Sequence, residues 1–147
     1  MKTTHRWLEE FCPHGLVPEA VAGLLRGLGH EVAGLQPLAG GDARFELEIT
    51  ANRPDCLSAL GLAYELAAAT GAPVRLPDRH PWEAPVSGEA PAVSLLEASG
   101  CPFYTARWIR GVRVGPSPPW LAGRLEAIGL APISNVVDVT NYVLHET

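Results

Sequence analysis

The strongest constraint on the fold is a strand, a turn and a helix that follow one another between residues 44 and 71. Apolar and charged residues alternate from Arg44 to Ile49, which is typical of a strand with one buried face. An Asn-Arg-Pro-Asp turn follows, and its Asp55 is the predicted N-cap of a helix that runs to about Thr70. Because neither element is stable alone, this unit requires further strands and helices around it.

The helix after this turn has two kinds of surface. One face is predicted to consist of Leu57, Leu60, Tyr64 and Ala67. Gly61 lies inside the helix and is predicted to allow close approach of another element, because it has no side chain. Gly71 is the predicted stop of the helix.

Residues 1–35 supply the other elements of this module. A short helix is predicted around Trp7 and ends at Pro13, because proline has no amide donor. A longer amphipathic helix starts at Pro18 and ends before Gly29, with its apolar side chains on one face. These side chains are Val21, Leu24, Leu25 and Leu28. A strand over residues 31–35 joins the strand at 44–49 through two glycines, at 40 and 41, so the helix has a sheet to cover.

A proline-rich stretch divides the chain. Prolines at positions 73, 77, 81, 85 and 91 interrupt every helical or alternating pattern, which predicts a linker over residues 76–91. The sequence therefore predicts an α+β protein made of two small α/β modules, at residues 1–75 and 92–147.

The second module is predicted to contain strands and helices in that order. Residues 93–96 and 103–114 are rich in aromatic and β-branched residues, which is typical of strands. Ser117 is the predicted cap of a helix that ends at Gly129. The last run, from a cap at Ser134, is predicted to be helical because Val136, Val139 and Val143 repeat at helical spacing, although its β-branched density also suits a strand.

Composition bounds the class of protein. The 147 residues are 47% hydrophobic and 18% charged, a balance that is typical of globular proteins. No run of about 18 apolar residues occurs, and the N-terminus lacks a basic segment followed by an apolar one. We therefore expect neither a membrane span nor a signal peptide, and the expected location is the cytoplasm.

The cysteines and the charge exclude other classes. Cys12, Cys56 and Cys101 are more than forty residues apart, so they are predicted to be reduced thiols rather than disulfide partners or a metal site. Residues 1–92 contain 7 basic and 12 acidic side chains. Because RNA-binding modules gain affinity from a basic face, this part of the chain is a poor RNA clamp by itself.

Chemistry-bearing residues concentrate near the end of the chain. Asp138, Thr140 and Asn141 interrupt an apolar run, and His145 follows Asp138 by two helical turns. Such a group could orient a water molecule on an ester, or it could be ordinary helix surface and capping. Earlier in the chain, Arg107 is a candidate for an RNA or interdomain contact, with solvated surface as the alternative.

Two stretches of the chain resemble signatures of one family, the beta subunit of bacterial phenylalanyl-tRNA synthetase. Residues 48–71 resemble its strand, Asn-Arg-Pro-Asp turn and glycine-containing helix, and residues 136–143 match its run Val-Val-Asp-Val-Thr-Asn-Tyr-Val. Between them, Tyr104 and Arg107 resemble a Tyr-x-x-Arg strand, and residues 117–121 a Ser-Pro-x-Trp turn. The resemblance implies an N-terminal fragment that lacks the family's inserted OB-like tRNA-binding domain and ends within its editing domain.

The resemblance also implies what the parent enzyme does. The parent joins phenylalanine to its tRNA with ATP and magnesium, at a site on the alpha subunit, in an α2β2 heterotetramer. The fragment is expected to hold no cofactor, metal site or catalytic residue of its own. Its implied partners are the alpha subunit and phenylalanine tRNA, and its implied role is structural.

The resemblance implies an editing role for two residues. Thr140 and Asn141 match the Thr-Asn pair that helps to line the pocket for hydrolysis of tyrosine wrongly attached to phenylalanine tRNA. Ala131 stands where the family often has a basic residue, and the family's pocket histidine and a later carboxylate come after Thr147. We therefore expect the fragment to hydrolyse no tyrosyl-tRNA above background.

Two other functions are consistent with the sequence. A stand-alone paralogue that binds RNA or a protein would form a well-packed monomer whose last helix covers its own core. A free-standing hydrolase of mischarged tRNA would need a complete pocket around Thr140 and Asn141. Exposed apolar surface at residues 136–144 would favour the fragment over both.

Overall fold

The structure is a computed structural model that describes residues 1–77 and 91–147. Short 3-10 turns at Ala39–Gly41 and Pro54–Cys56 lead into the third strand and the third helix. The architecture is α+β, as predicted. In chain order the strands and α-helices of the described residues are β1 Lys2–Thr4, α1 His5–Phe11, α2 Pro18–Gly27, β2 Glu31–Pro37, β3 Ala43–Glu48, α3 Ala59–Thr70, α4 Pro119–Ala127 and α5 Asn135–Glu146.

The strands form one antiparallel sheet in the order β1-β3-β2. In the central strand Phe45 and Leu47 are buried while Glu46 and Glu48 are exposed, so the predicted alternation is confirmed. Strand β1 was not predicted from the sequence. Three residues are too short to show a period, and β1 is held instead by its pairing with β3, in which Thr3 lies opposite Phe45.

The core forms where the helices meet the sheet. Helices α1 and α2 pack on the strands, α3 packs on both of these helices, and α4 and α5 pack on each other. Side chains from the helices and the sheet therefore share one interior. Its largest fully buried apolar members are Trp7, Leu8, Val21, Leu25, Phe45, Leu47, Leu62, Leu66, Leu121 and Leu125.

The chain divides into two compact units. One joins Met1–Pro77 with Val114–Thr147, and the other spans Asp78–Arg113. Most of the predicted linker at 76–91 lies outside the described residues, and the domain division at residues 75 and 92 stays a prediction.

The strands predicted at 93–96 and 103–114 are wrong. Residues 91–114 contain neither helix nor strand, and almost all of their side chains are exposed. Aromatic and β-branched residues favour strands only where a neighbouring strand and a buried face are available. Composition alone did not contain that information.

Two predicted helix caps are also wrong. Ser58, not Asp55, caps α3, because its Oγ accepts a hydrogen bond of 3.0 Å from the amide of Gly61. Asp55 lies in the preceding turn, where Arg53 binds its carboxylate at 2.8 Å. Ser117 does not cap α4, because its hydroxyl donates to Asp138 instead. In both cases another partner competes for the capping group.

The core-facing side of α3 differs from the predicted one. Leu57 and Tyr64 are each 52% exposed, although Leu60 and Ala67 do pack partly against the core. Packing on α1 and α2, rather than the periodicity of the helix itself, decides which face turns inward. The fully buried residues of this helix are Ala59, Leu62, Ala63 and Leu66.

The cysteines are free thiols, with Cys12 and Cys56 buried and Cys101 exposed. Within the part of the chain that the structure describes, no helix is long and apolar enough to cross a membrane.

Candidate functional site on helix α5

The start of α5 is fixed by hydrogen bonds that the sequence predicts only in part. As predicted, Ser134 caps the helix, and its Oγ accepts from the amide of Val137 at 3.4 Å. The amide of Asn135 donates to the carbonyl of Gly115 at 2.9 Å, and the Asn135 Oδ1 accepts from the Gly115 amide at 3.2 Å. The helix therefore begins against the segment that precedes α4.

Asp138 is the buried anchor of this helix. Its carboxylate accepts from the amide of Ile133 at 2.9 Å and 3.2 Å and from the hydroxyl of Ser117 at 2.5 Å. The side chain is fully buried, so these donors replace the water that it gives up. Asp138 is thus a structural residue on the inner side of α5 and does not face the same side as Thr140, which is exposed.

The acid stability of the protein should depend on Asp138. The Ser117 hydroxyl and the Ile133 amide hold the pKa of Asp138 below its usual range. The pKa of Asp138 is lower in the folded protein than in the unfolded chain. The carboxylate therefore contributes its full stabilisation above about pH 4, and this contribution is lost as pH falls through the folded pKa. We expect the stability difference between the wild type and Asp138→Asn to narrow below about pH 4. Urea unfolding midpoints measured from pH 7 to pH 2 test this, and parallel curves would contradict it.

Aromatic and charged side chains fix the second half of α5. The ring of Tyr142 stacks on that of Trp7, with centroids 5.4 Å apart and planes 12° apart. Trp120 contacts the same tyrosine edge-on at 5.6 Å. The guanidinium of Arg124 lies 5.1 Å from the Trp7 ring centre and binds both carboxylate oxygens of Glu10. We call these five side chains the aromatic clamp.

Burial, together with the Glu146 carboxylate, raises the pKa of Tyr142 to about 12. The tyrosine therefore stays neutral at any physiological pH. Burial by itself lowers the pKa of Arg124, but the hydrogen bond and charge of Glu10 outweigh that effect and raise it. The aromatic clamp thus holds a cation between two rings and a carboxylate.

Of the two predicted pocket residues, Thr140 lies on the outer side of α5, and Asn141 lies between the two sides because it follows Asp138 by three residues. Thr140 is exposed and its Oγ1 donates to the carbonyl of Val137 at 2.6 Å, while its neighbour Asn141 is half-buried. His145 is half-buried one turn further on, and burial lowers the pKa of its imidazole. Around them lies an apolar surface of exposed side chains. Its members are Ile133, Val136, Val139, Val143 and Leu144.

Arg107 belongs to the other compact unit. It is exposed in the stretch 91–113, and its role in an RNA or interdomain contact stays a prediction.

An ionic cluster around Arg53 was not predicted from the sequence. Its guanidinium binds Glu65 at 2.7 Å, Asp55 at 2.8 Å and the sulfur of Cys56 at 3.0 Å. The hydrogen bonds from Arg53 lower the pKa of Asp55 to about 2, and burial raises the pKa of the Cys56 thiol to about 11. The cluster links the Asn-Arg-Pro-Asp turn to α3. The family-like motif is the only sequence signal that marks it.

Among the residues that the structure describes, two groups have metal-ligating atoms within 4.8 Å of one another. In the group of His30, Cys56 and Glu65, the guanidinium of Arg53 already provides the cation. In the group of His5, Glu9 and His14, the Nδ1 of His14 accepts from the amide of Leu16 at 3.0 Å, and Glu9 accepts from the amide of Gly15. The protein's own donors thus already bind Cys56 and Glu65 in the first group and His14 and Glu9 in the second.

Comparisons with known proteins identify the family. The B3/4 domain matches residues 100–147. The phenylalanine–tRNA ligase beta subunit of Syntrophus aciditrophicus is 50% identical over 120 residues, which are 81% of this chain and 15% of that protein. The beta subunit of Chlorobium luteolum is 47% identical over 104 residues, 71% of this chain and 13% of that protein. That of Rhodopirellula baltica is 40% identical over 152 residues, 99% of this chain and 21% of that protein.

This chain belongs to the family of bacterial phenylalanine–tRNA ligase beta subunits. It spans between 13% and 21% of the length of these three relatives. The resemblance that the sequence motifs indicated is therefore confirmed, and the matched B3/4 region contains Thr140 and Asn141.

The Rhodopirellula relative also bears on the short connection between β2 and β3. Its match of 152 residues covers 99% of a chain of 147, so the lengths of the two sequences across the match differ by only a few residues. A domain has at least about 50 residues. A beta subunit of this family therefore exists that has no inserted domain at the Gly40-Gly41 turn.

Proposed function

We propose that this chain is the N-terminal part of a phenylalanine–tRNA ligase beta subunit and presents one wall of its editing pocket. The observation that carries the proposal is the two-sided character of α5. Asp138 and Tyr142 fix the helix from the inner side, while Thr140 is exposed among apolar residues on the outer side and the half-buried Asn141 lies at the edge of that side.

The chemistry explains why such a ligase needs a second pocket. A hydrophobic site for phenylalanine rejects tyrosine, which only adds a hydroxyl, by about a hundredfold. A hydrolytic pocket that hydrogen-bonds this hydroxyl selects the wrong product and leaves phenylalanyl-tRNA untouched. In the hydrolysis a water molecule adds to the carbonyl carbon of the ester. The ribose oxygen then leaves with a proton, which yields tyrosine and free tRNA.

Thr140 and Asn141 have side chains suited to this reaction. An amide can donate to the carbonyl oxygen of the ester, where negative charge develops, and a hydroxyl can bind the attacking water or the substrate hydroxyl. Neither is a strong base. Their proposed role is therefore to orient substrate and water, and further groups of the longer protein complete the pocket.

The apolar surface on α5 supports the same proposal. Leu144 and Ile133 are each 71% exposed, and contiguous exposed apolar surface in a globular protein usually marks a contact. We propose that later parts of the B3/4 domain cover this surface. A stand-alone binding protein would instead turn these side chains into its own core, so the surface favours the fragment over that alternative.

The remaining assignments concern the longer protein. We propose that it pairs with an alpha subunit in an α2β2 ligase, binds phenylalanine tRNA and uses ATP and magnesium at a site outside this chain. The proposed location of that ligase is the cytoplasm.

Replacing Asn141 tests the editing proposal. In the full-length beta subunit assembled with its alpha subunit, Asn141→Ala should lower the rate of tyrosyl-tRNA hydrolysis roughly 10- to 100-fold, because an oriented donor is lost. Charging with phenylalanine should stay at the wild-type rate. Deacylation of purified tyrosyl-tRNA and charging with labelled phenylalanine measure the two. An unchanged deacylation rate would refute the proposal.

Two controls belong to this experiment. Thr147 also donates its hydroxyl to a carbonyl one turn back, at 3.1 Å, so Thr147→Val matches Thr140→Val in chemistry. The Thr140 variant should slow deacylation and the Thr147 variant should not. The 147-residue chain by itself is expected to hydrolyse no tyrosyl-tRNA above background.

A further inference from the structure

The aromatic clamp joins three parts of the chain. Trp7 and Glu10 lie on α1, Trp120 and Arg124 on α4, and Tyr142 on α5. The tyrosine therefore contacts side chains that precede it by 22 and by 135 positions. These contacts hold the last helix against the N-terminal segment.

Tyr142 directly follows Asn141 in the same helix. Successive residues of an α-helix are about 100° apart around its axis, so the rotation of the helix determines where the asparagine side chain points. A ring stacked at 12° on Trp7 and held edge-on by Trp120 restricts that rotation from two directions.

A second anchor lies one turn earlier. Asp138 precedes Tyr142 by four residues, so the two side chains lie on the same face of α5. The carboxylate fixes the first turn through Ile133 and Ser117. Without the Tyr142 ring the first turn would stay in place, and the turn that carries Asn141 would gain freedom.

We propose that Tyr142 is a positioning residue for the editing reaction and acts through the orientation of Asn141. Trp7 of the N-terminal segment provides the surface on which the Tyr142 ring stacks. This inference rests on the editing function proposed above. A reacting group that is displaced by about 1 Å can lose roughly a hundredfold in rate. Deacylation is therefore expected to depend on a ring that does not touch the substrate.

The test uses the full-length beta subunit with its alpha subunit. Tyr142→Leu keeps apolar volume but removes the flat ring, and it should lower kcat for tyrosyl-tRNA hydrolysis roughly tenfold with little change in KM. Tyr142→Phe keeps the stack on Trp7 and should restore most of the wild-type kcat. Tyr64 is a matched control on α3, because it is a half-exposed tyrosine outside the clamp, and Tyr64→Leu should change neither parameter.

The outcomes separate positioning from folding and from the editing proposal itself. Equal losses of phenylalanine charging and deacylation in Tyr142→Leu would show a merely structural role and overturn the inference. So would a normal kcat in that variant when Asn141→Ala slows deacylation. If Asn141→Ala itself has no effect on deacylation, the proposed editing role of Asn141 is wrong, and the positioning role of Tyr142 is wrong with it.

Discussion

Replacing Gly61 with alanine is expected to destabilise the protein by about 3 kcal/mol. A Cβ atom at this position would lie 1.8 Å from the carbonyl oxygen of Asp55 and 2.9 Å from its carbonyl carbon. These are backbone atoms, so no rotamer change relieves the overlap. Helix α3 or the turn before it has to move, and the cap from Ser58 to the Gly61 amide would be strained with it.

Gly23 is the matched control for this substitution. It lies inside α2, is exposed, and has nothing within 4 Å of the point that an alanine methyl group would occupy. Gly23→Ala should therefore stabilise the protein by about 0.5 to 1 kcal/mol, the usual difference in helix propensity. Urea unfolding of both variants measures the two changes. A Gly61→Ala variant as stable as the wild type would contradict the packing of α3 on the turn.

Replacing Trp7 with alanine is expected to cost about 3 to 5 kcal/mol. The indole is 1% exposed, and its removal leaves a cavity in the core. The same change removes the stack on Tyr142 and the cation–π contact with Arg124. The substitution should therefore weaken both the packing of the N-terminal segment and the contacts that hold α5 against it.

Trp120→Ala is the matched control for Trp7→Ala, because it removes the same side chain from an exposed position. It is 61% exposed and touches Tyr142 only edge-on, so Trp120→Ala should cost about 1 kcal/mol or less. Thermal and urea unfolding of the two alanine variants give the comparison. Similar losses in both would mean that Trp7 does not lie in the core.

Prediction from sequence succeeds where the signal is local. Alternation in β3, the amphipathic pattern of α2 and the cap at Ser134 of α5 are local signals, and each formed as predicted. Strand β1 and the inward face of α3 were missed because both depend on residues distant in sequence. Thr3 pairs with Phe45, and Leu62 is buried in a helix that packs on α1 and α2.

The capping errors have one physical cause. Asp55 and Ser117 are good capping residues by type, but each has a stronger partner elsewhere. Arg53 binds the carboxylate of Asp55, and Asp138 accepts the hydroxyl of Ser117 from 21 positions away. A carboxylate paired with an arginine or a buried carboxylate in need of a donor gains more than a free amide at a helix start offers.

The sequence by itself determined the family and the α+β class, because motifs and periodicities are carried by neighbouring residues, and the same motifs made Thr140 and Asn141 the candidates for an editing pocket. Tertiary structure alone decided which side of α5 faces inward. Asp138 and Tyr142 find their donors and rings on other segments, and burying those groups leaves Thr140 on the open side and Asn141 at its edge. Free energy from contacts between distant residues sets that rotation, and no local pattern in the chain records it.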